Sequence, residues 1–135
     1  MKYFVGQKES VTKQITEADV KTFASISGDM NPVHLSSEFA QKTIFRKPIV
    51  HGMLCASLIS SVLANKLPGN GTIYLGQDLR FLAPVFHGDV LTAVVEIAEI
   101  LPEKKHLIFE TYVVNSKGVK VIKGTARVKP SNFET

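Results

Sequence analysis

Hydrophobic and polar positions divide the chain into a mixed first half and a second half rich in β-branched and aromatic residues. Residues 53–64 carry no charged side chain, which predicts a buried helix that begins near Gly52. Four later segments rich in Val, Ile, Thr, Tyr and Phe predict β-strands, at residues 72–81, 89–101, 106–115 and 119–128. One uncharged helix followed by a run of antiparallel strands predicts an α+β domain whose sheet wraps around that helix.

Shorter elements are predicted ahead of the apolar helix. Residues 11–15 are expected to form a first strand. Thr16 followed by Asp19 resembles a capping box, with Asp in place of the usual Glu, and opens a helix that Gly28 ends. Residues 36 and 37 are both serines, and either is suited to cap a short helix just beyond them.

Length and charge limit the classes of function. The 135 residues suit one domain, which we take to span residues 1–135. The 16 Lys and Arg residues exceed the 12 Asp and Glu residues, but they are scattered, and no basic stripe with interleaved aromatic residues is present. We therefore expect no nucleic-acid partner. The net charge of +4 suits a phosphate-bearing substrate such as a coenzyme A thioester without establishing one.

Cysteine content and the apolar segments bear on location. Cys55 is the only cysteine, so no intramolecular disulfide forms, and its place in the apolar helix predicts a buried core residue rather than a nucleophile. The first residues lack the apolar run of a signal peptide, and the apolar helix is shorter than the roughly 20 residues that a bilayer requires. We therefore expect a cytoplasmic protein without a membrane partner.

Residues 28–34, Gly-Asp-Met-Asn-Pro-Val-His, place a carboxylate, an amide and an imidazole in one short segment. Pro32 lacks a backbone N–H and disfavours helical backbone at Asn31, so an irregular, rigid loop is predicted. Asp29 offers a fixed base near neutral pH and His34 a group that both accepts and donates protons, so together they are suited to activating water. Alternatively, Asp29 and Asn31 only cap the next helix or close an Asx turn.

The start of the apolar helix is a second candidate site. Backbone N–H groups at a helix N-terminus have no acceptor within the helix, and a glycine there lets an oxygen of another molecule approach closely. Gly52 therefore marks a candidate oxyanion site, unless it only relieves crowding where the helix enters the core. His51 is expected to fix the turn before the helix rather than to transfer a proton, and His87 is expected at the surface. No residue pairs have metal-ligand spacing, so no metal site is expected.

These two motifs, together with Leu-Arg-Phe-Leu-Ala-Pro-Val-Phe-His-Gly-Asp at residues 79–89, make the chain similar to a known family. It resembles the MaoC-like dehydratases, in particular the (R)-specific enoyl-CoA hydratases, over essentially its whole length. The resemblance implies a hot-dog fold, a homodimer and hydration of a trans-2-enoyl-CoA to the (R)-3-hydroxyacyl-CoA. It also implies that no metal or redox cofactor takes part, coenzyme A being a portion of the acyl-CoA substrate.

The resemblance also implies roles for individual residues. The residues that match Asp29 and His34 hold and activate the water, and the backbone N–H that matches Gly52 binds the thioester oxygen. Asn31 either positions the catalytic pair or only shapes the loop. Ser60 matches a polar position near the substrate, although a serine satisfied within its own helix is an equal alternative. Leu63 is expected to help set the depth of the acyl tunnel.

Three hypotheses from different functional classes are compatible with the sequence. The first is the (R)-specific hydratase. The second is another hot-dog enzyme, either a 3-hydroxyacyl-[acyl carrier protein] dehydratase or an acyl-CoA thioesterase; a loop carrying both Asp29 and His34 is not the usual pattern of the thioesterase. The third is a non-catalytic module that binds acyl thioesters, against which the intact pair argues.

Overall fold

A six-stranded antiparallel sheet forms the framework of the protein in this computed structural model, which describes residues 2–134. The strands follow the order β1-β4-β5-β6-β2 across the sheet, and β3 pairs with another stretch of β6. Their bounds are β1 Lys8–Gln14, β2 Ile73–Gln77, β3 Arg80–Phe81, β4 Val90–Leu101, β5 His106–Asn115 and β6 Lys120–Lys129.

Four helices complete the described chain. They are α1 Glu17–Ser27, α2 Pro32–Leu35, α3 Ser37–Ala40 and α4 Gly52–Asn65. The predicted capping box at the start of α1 is present, since the side chains of Thr16 and Asp19 each accept the other's backbone N–H. Gly28 ends α1 in the left-handed conformation with φ of 79°, which is unfavourable for other residues.

Helix α4 lies against one face of the sheet, where it packs on β1, β4 and β5. It buries six of its side chains, and they meet alternating apolar side chains such as Leu107, Phe109 and Val113 on β5. Removing this apolar surface from water is the main stabilising contribution to the fold, at about 25 cal/mol per Å². A sheet wrapped around one apolar helix is the hot-dog arrangement, and this fold prediction is confirmed.

The prediction of one continuous strand over residues 72–81 is wrong. The chain forms β2 and β3 separately, and both pair with β6. Between them the carboxylate of Asp78 accepts the Thr125 N–H, so a side chain replaces a backbone carbonyl in the ladder. The Asp78 carbonyl also passes so close to Gly124 that a Cβ built there would lie 1.9 Å from its oxygen.

Within residues 2–134, no helix combines the length and the apolar character that crossing a membrane would require.

Candidate functional site

A cavity of about 490 Å³ opens where three segments meet. The first segment leads from α1 into α2, the second enters α4, and the third follows β3. Most of the wall is apolar, with Phe45, Phe81, Leu82 and Ile122 among its side chains. The polar groups on this wall include Asp29, His34 and the first residue of α4, Gly52. The sequence-predicted catalytic residues therefore share one cavity.

Local hydrogen bonds hold Asp29 at the end of α1. Its backbone N–H donates to the Ser27 hydroxyl at 3.1 Å, and its Oδ1 accepts the N–H of Asn31 at 3.3 Å. No further protein donor to this carboxylate is found within residues 2–134. An ionised carboxylate has about four lone-pair positions, so most of the acceptor capacity of Asp29, an exposed residue that lines the cavity, is free to bind water.

The predicted irregular loop around His34 is wrong, because residues 32–35 form a helical turn. Asn31 caps this turn, its side-chain oxygen accepting the Val33 N–H at 3.1 Å, and Pro32 occupies the first helical position, where a missing N–H costs nothing. The backbone at Asn31 is extended, as the residue before a proline prefers, and the helix begins only after it. Asn31 thus shapes the segment and does not line the cavity.

The hydrogen bonds of His34 fix its tautomer. Its Nδ1–H donates to the carbonyl of Ile49 at 2.8 Å, so the neutral ring keeps a lone pair on Nε2. Burial lowers the pKa of His34 below its ordinary value, opposed by the bond to Ile49 and reinforced by the nearby His51. His34 is therefore neutral at pH 7 and able to accept a proton at Nε2.

Asp29, His34 and His51 approach one another closely. One polar side-chain atom from each lies within 4.8 Å of the others. Because a water bonded to two groups at about 2.8 Å each spans up to about 5.6 Å, this spacing is short enough for one water to bridge the Asp29 carboxylate and the His34 ring. This spacing suits the predicted activation of water.

The same three residues are a poor metal site. The rings of His34 and His51 stack with centroids 3.9 Å apart and planes inclined by 27°. A metal ion binds in the plane of an imidazole at about 2.0–2.1 Å, so an ion bound by one ring would lie well out of the plane of the other.

Gly52 is the first residue of α4, where backbone N–H groups have no acceptor within the helix. The preceding residue, His51, makes no capping bond with its side chain. A Cβ built on Gly52 would lie 2.6 Å from the nearest atom of the Phe81 ring, which shows how closely the cavity wall approaches the glycine. The N–H and the positive end of the helix dipole are thus available to an oxygen in the cavity.

Two histidines from other segments bind the backbone carbonyls of Asp29 and His34. His51 Nε2–H donates to the Asp29 carbonyl at 3.0 Å, and His87 Nε2–H donates to the His34 carbonyl at 3.1 Å. His87 is half-buried in this role, so its expected surface position is wrong. The sequence offered no signal for either contact, because both join segments far apart in the chain.

A second cavity of about 530 Å³ adjoins the first at Met53, which lines both. Its wall includes Ser60, Tyr74 and Leu79, and most of it is apolar. The predicted substrate-binding residues thus separate: Ser60 faces this second cavity, whereas Leu63 is buried in the core and lines neither cavity.

Cys55 lies on the wall of the first cavity but is 1% exposed, and burial raises the pKa of its thiol to about 12. Because the thiolate is the reactive form, about one molecule in ten thousand is reactive at pH 8. We expect the native protein to resist iodoacetamide and the urea-unfolded protein to be alkylated, as measured by intact mass. Equal alkylation rates in the two states would contradict this prediction.

Comparisons with known proteins agree with this geometry. The family model described as "MaoC like domain" matches residues 5–122. The (R)-specific enoyl-CoA hydratase of Aeromonas caviae is 46% identical over 93% of this chain and 93% of its own length. The enzyme of the same name from Rhodospirillum rubrum is 46% identical over 91% of this chain and 85% of its own.

A solved structure extends the likeness to three dimensions. It is described as the (R)-hydratase from A. caviae involved in PHA biosynthesis, and it superposes with a TM-score of 0.92 at 46% identity, over 94% of this chain and 96% of that one. The sequence match, the structural match and the family model each cover most of the chain. The chain belongs to the MaoC-like domain family.

Proposed function

We propose that this protein catalyses the reversible, (R)-specific hydration of trans-2-enoyl-CoA to (R)-3-hydroxyacyl-CoA. The observation that carries the proposal is the placing of Asp29 and neutral His34 about one water apart in an apolar cavity, beside the helix N-terminus at Gly52. The names of the two bacterial relatives support the same substrate class.

The reaction uses each of these groups. A water held by Asp29 and His34 forms the new C–O bond at the β-carbon and gives one proton to the pair. Negative charge moves onto the thioester oxygen, which accepts the Gly52 N–H, and the α-carbon then receives a proton from the pair. Because one water supplies both the hydroxyl and the proton from one side, addition to a single face of the double bond follows.

The reaction as written needs neither a metal nor a redox cofactor. Hydration does not change the overall oxidation level of the substrate, and the thioester oxygen is stabilised by the helix N-terminus. The stacked histidines also favour proton transfer over metal binding. Coenzyme A enters only as the carrier of the acyl group.

The two cavities suggest how the substrate is divided. The thioester and the double bond occupy the first cavity, and the acyl chain extends past Met53 into the second, where it meets Ser60. Leu63, buried behind this wall, acts on chain length only through packing, and that role stays a prediction. The cytoplasmic location also remains a prediction from the sequence.

The partner we propose is a second copy of the chain, joined along β2. The two edges of the sheet differ: β1 carries Lys8, Glu9 and Lys13, whereas β2 reads Ile-Tyr-Leu-Gly-Gln without a charge. Ile73 and Leu75 on β2 are 54% and 46% exposed. Charged residues protect a sheet edge from pairing, and an exposed apolar edge favours it.

We expect the double variant Ile73→Lys, Leu75→Lys to sediment as a monomer where the unmodified protein sediments as a dimer. Val119→Lys is the matched control, since Val119 is 46% exposed and lies next to the β5–β6 turn rather than on β2. A dimer that survives the double substitution would place the interface elsewhere.

The activity is tested with crotonyl-CoA by following the ultraviolet band of the conjugated thioester while free thiol is assayed in parallel. Loss of the band without thiol release, with the (R)-3-hydroxy product identified by chiral chromatography, supports the proposal. Thiol release indicates a thioesterase, and faster turnover of crotonyl-[acyl carrier protein] indicates the dehydratase. Binding without turnover of either substrate indicates a module that only binds acyl thioesters.

A further inference from the structure

We propose that His51 is a positioning residue that fixes the relative positions of Asp29 and His34 through one hydrogen bond and one ring contact. This inference rests on the proposed function, since it assigns a role toward the same catalytic pair. His51 itself lines the cavity but is 2% exposed, and its Nε2 is hydrogen-bonded inside the protein.

The hydrogen bond acts on Asp29. Its carbonyl accepts His51 Nε2–H, which ties the residue after the αL cap of α1 to the residue before α4. Asp29 and His51 are 22 positions apart, and the segment between them includes α2 and α3, so this bond closes a long loop at the catalytic carboxylate. Within residues 2–134, the other hydrogen bonds of Asp29 join it to its near neighbours Ser27 and Asn31.

The ring contact acts on His34. The His34 ring stacks on the His51 ring, and Phe23 packs on His51 with centroids 4.9 Å apart. The hydrogen bond to the Ile49 carbonyl fixes only Nδ1 of His34. The stacked His51 ring is what limits rotation of the His34 ring about that hydrogen bond. His51 therefore restrains both residues. The N–H at the edge of its ring holds Asp29, and the face of its ring holds His34.

The second nitrogen of His51 supports this role. Among the described residues its buried Nδ1 has no hydrogen-bond partner. An unpaired buried polar atom is unfavourable, so packing alone would be served better by a phenylalanine. The Nε2–H bond to Asp29 thus explains why position 51 holds a histidine. A variant that loses this bond need not lose stability.

Three substitutions separate the two contacts. His51→Phe keeps a ring against His34 without the donor, His51→Gln keeps an amide donor without the ring, and His51→Leu keeps neither. We expect His51→Leu to lose about 100-fold in kcat on crotonyl-CoA, with KM changed less than about threefold, because small misplacements of catalytic groups have effects of this size. The Phe and Gln variants should each retain about tenfold more activity than the Leu variant.

The pH profile distinguishes positioning from loss of folded protein. The titratable groups that act on His34 are Asp29, His51 and His87. Burial and the neighbouring His51 both lower the pKa of His34, so His51→Gln, which uncovers the ring, should move the acid limb of kcat/KM to higher pH. A change in the amount of folded protein would leave the limb in place.

Nitrogen-detected NMR of His34 provides a readout that does not depend on turnover. We expect the His34 titration to move to higher pH in His51→Gln, and this result would stand even if crotonyl-CoA proved not to be a substrate. His106→Gln is the matched control, because His106 is half-buried at the start of β5, bonded to Arg127, and should change neither activity nor titration. Full kcat in His51→Leu, or losses in all three variants with unchanged His34 titration and pH profile, would overturn the proposal.

Discussion

Asp29→Asn is expected to lower kcat for hydration of crotonyl-CoA by about 100- to 10,000-fold, the range that general acid-base groups contribute. The amide has the shape of the carboxylate and its oxygen can still accept the Asn31 N–H, so the segment after α1 should keep its structure. What is lost is the negative charge and the acceptor capacity that faces the water. KM should change little, because the substrate thioester does not contact this side chain in the proposed arrangement.

His34→Asn tests the other member of the pair. The asparagine amide nitrogen takes the place of Nδ1 and can donate to the Ile49 carbonyl, but the amide cannot take up a proton. We expect a loss of similar size, and the double variant should lose little more than the worse single variant, since groups that act on one water are not additive. Thermal unfolding and sedimentation of each variant provide the control. Retention of more than a tenth of kcat in both single variants would contradict the mechanism.

Much of this fold was accessible from the sequence, because its strongest signals are local. The capping box at Thr16 and Asp19 and the helix end at Gly28 depend on neighbours a few residues away, and both are present. The buried helix was also predictable, since a helix without charged side chains is typically buried in the core.

The errors arose where distant segments decide the outcome. The break between β2 and β3 depends on the carboxylate of Asp78 meeting Thr125, 47 residues away, and no local pattern shows that contact. The helical turn over residues 32–35 was missed for a different reason. Proline was read as a helix breaker, although at the first helical position it favours a helix start.

The reacting groups of the site were predictable from the sequence, but the contacts that position them were not. Asp29, His34 and Gly52 meet at one cavity, as the two motifs indicated, and the cavity supplies the apolar surroundings that lower the pKa of His34. His51 binds the backbone carbonyl of Asp29, 22 residues away in the chain, and His87 binds that of His34, 53 residues away. Such contacts depend on tertiary structure, so a sequence shows the reacting groups more readily than the groups that hold them.

Gly52→Pro is expected to lower kcat about 100- to 1,000-fold relative to Gly52→Ala, because it deletes one N–H aimed at the thioester oxygen. Proline suits this position in other respects. It is favoured as the first residue of a helix, and the preceding His51, with φ of −56° and ψ of 130°, already has the backbone conformation that a following proline requires. The helix should therefore form normally, and circular dichroism and thermal unfolding would verify this.

Gly52→Ala is the matched control because both variants add a Cβ at the same place. That Cβ would lie 2.6 Å from the ring of Phe81, and the ring, which is 54% exposed, has room to turn outward. The crowding by Cβ is therefore common to the two variants, and their difference reports the loss of the N–H together with the proline ring carbons that replace its hydrogen. The N–H itself is worth about 2.7–4 kcal/mol of transition-state stabilisation. We expect the difference in kcat rather than in KM, since charge on the thioester oxygen develops only as water adds. Equal kcat values in the two variants would mean that Gly52 serves to admit the Phe81 ring and that another donor binds the oxygen.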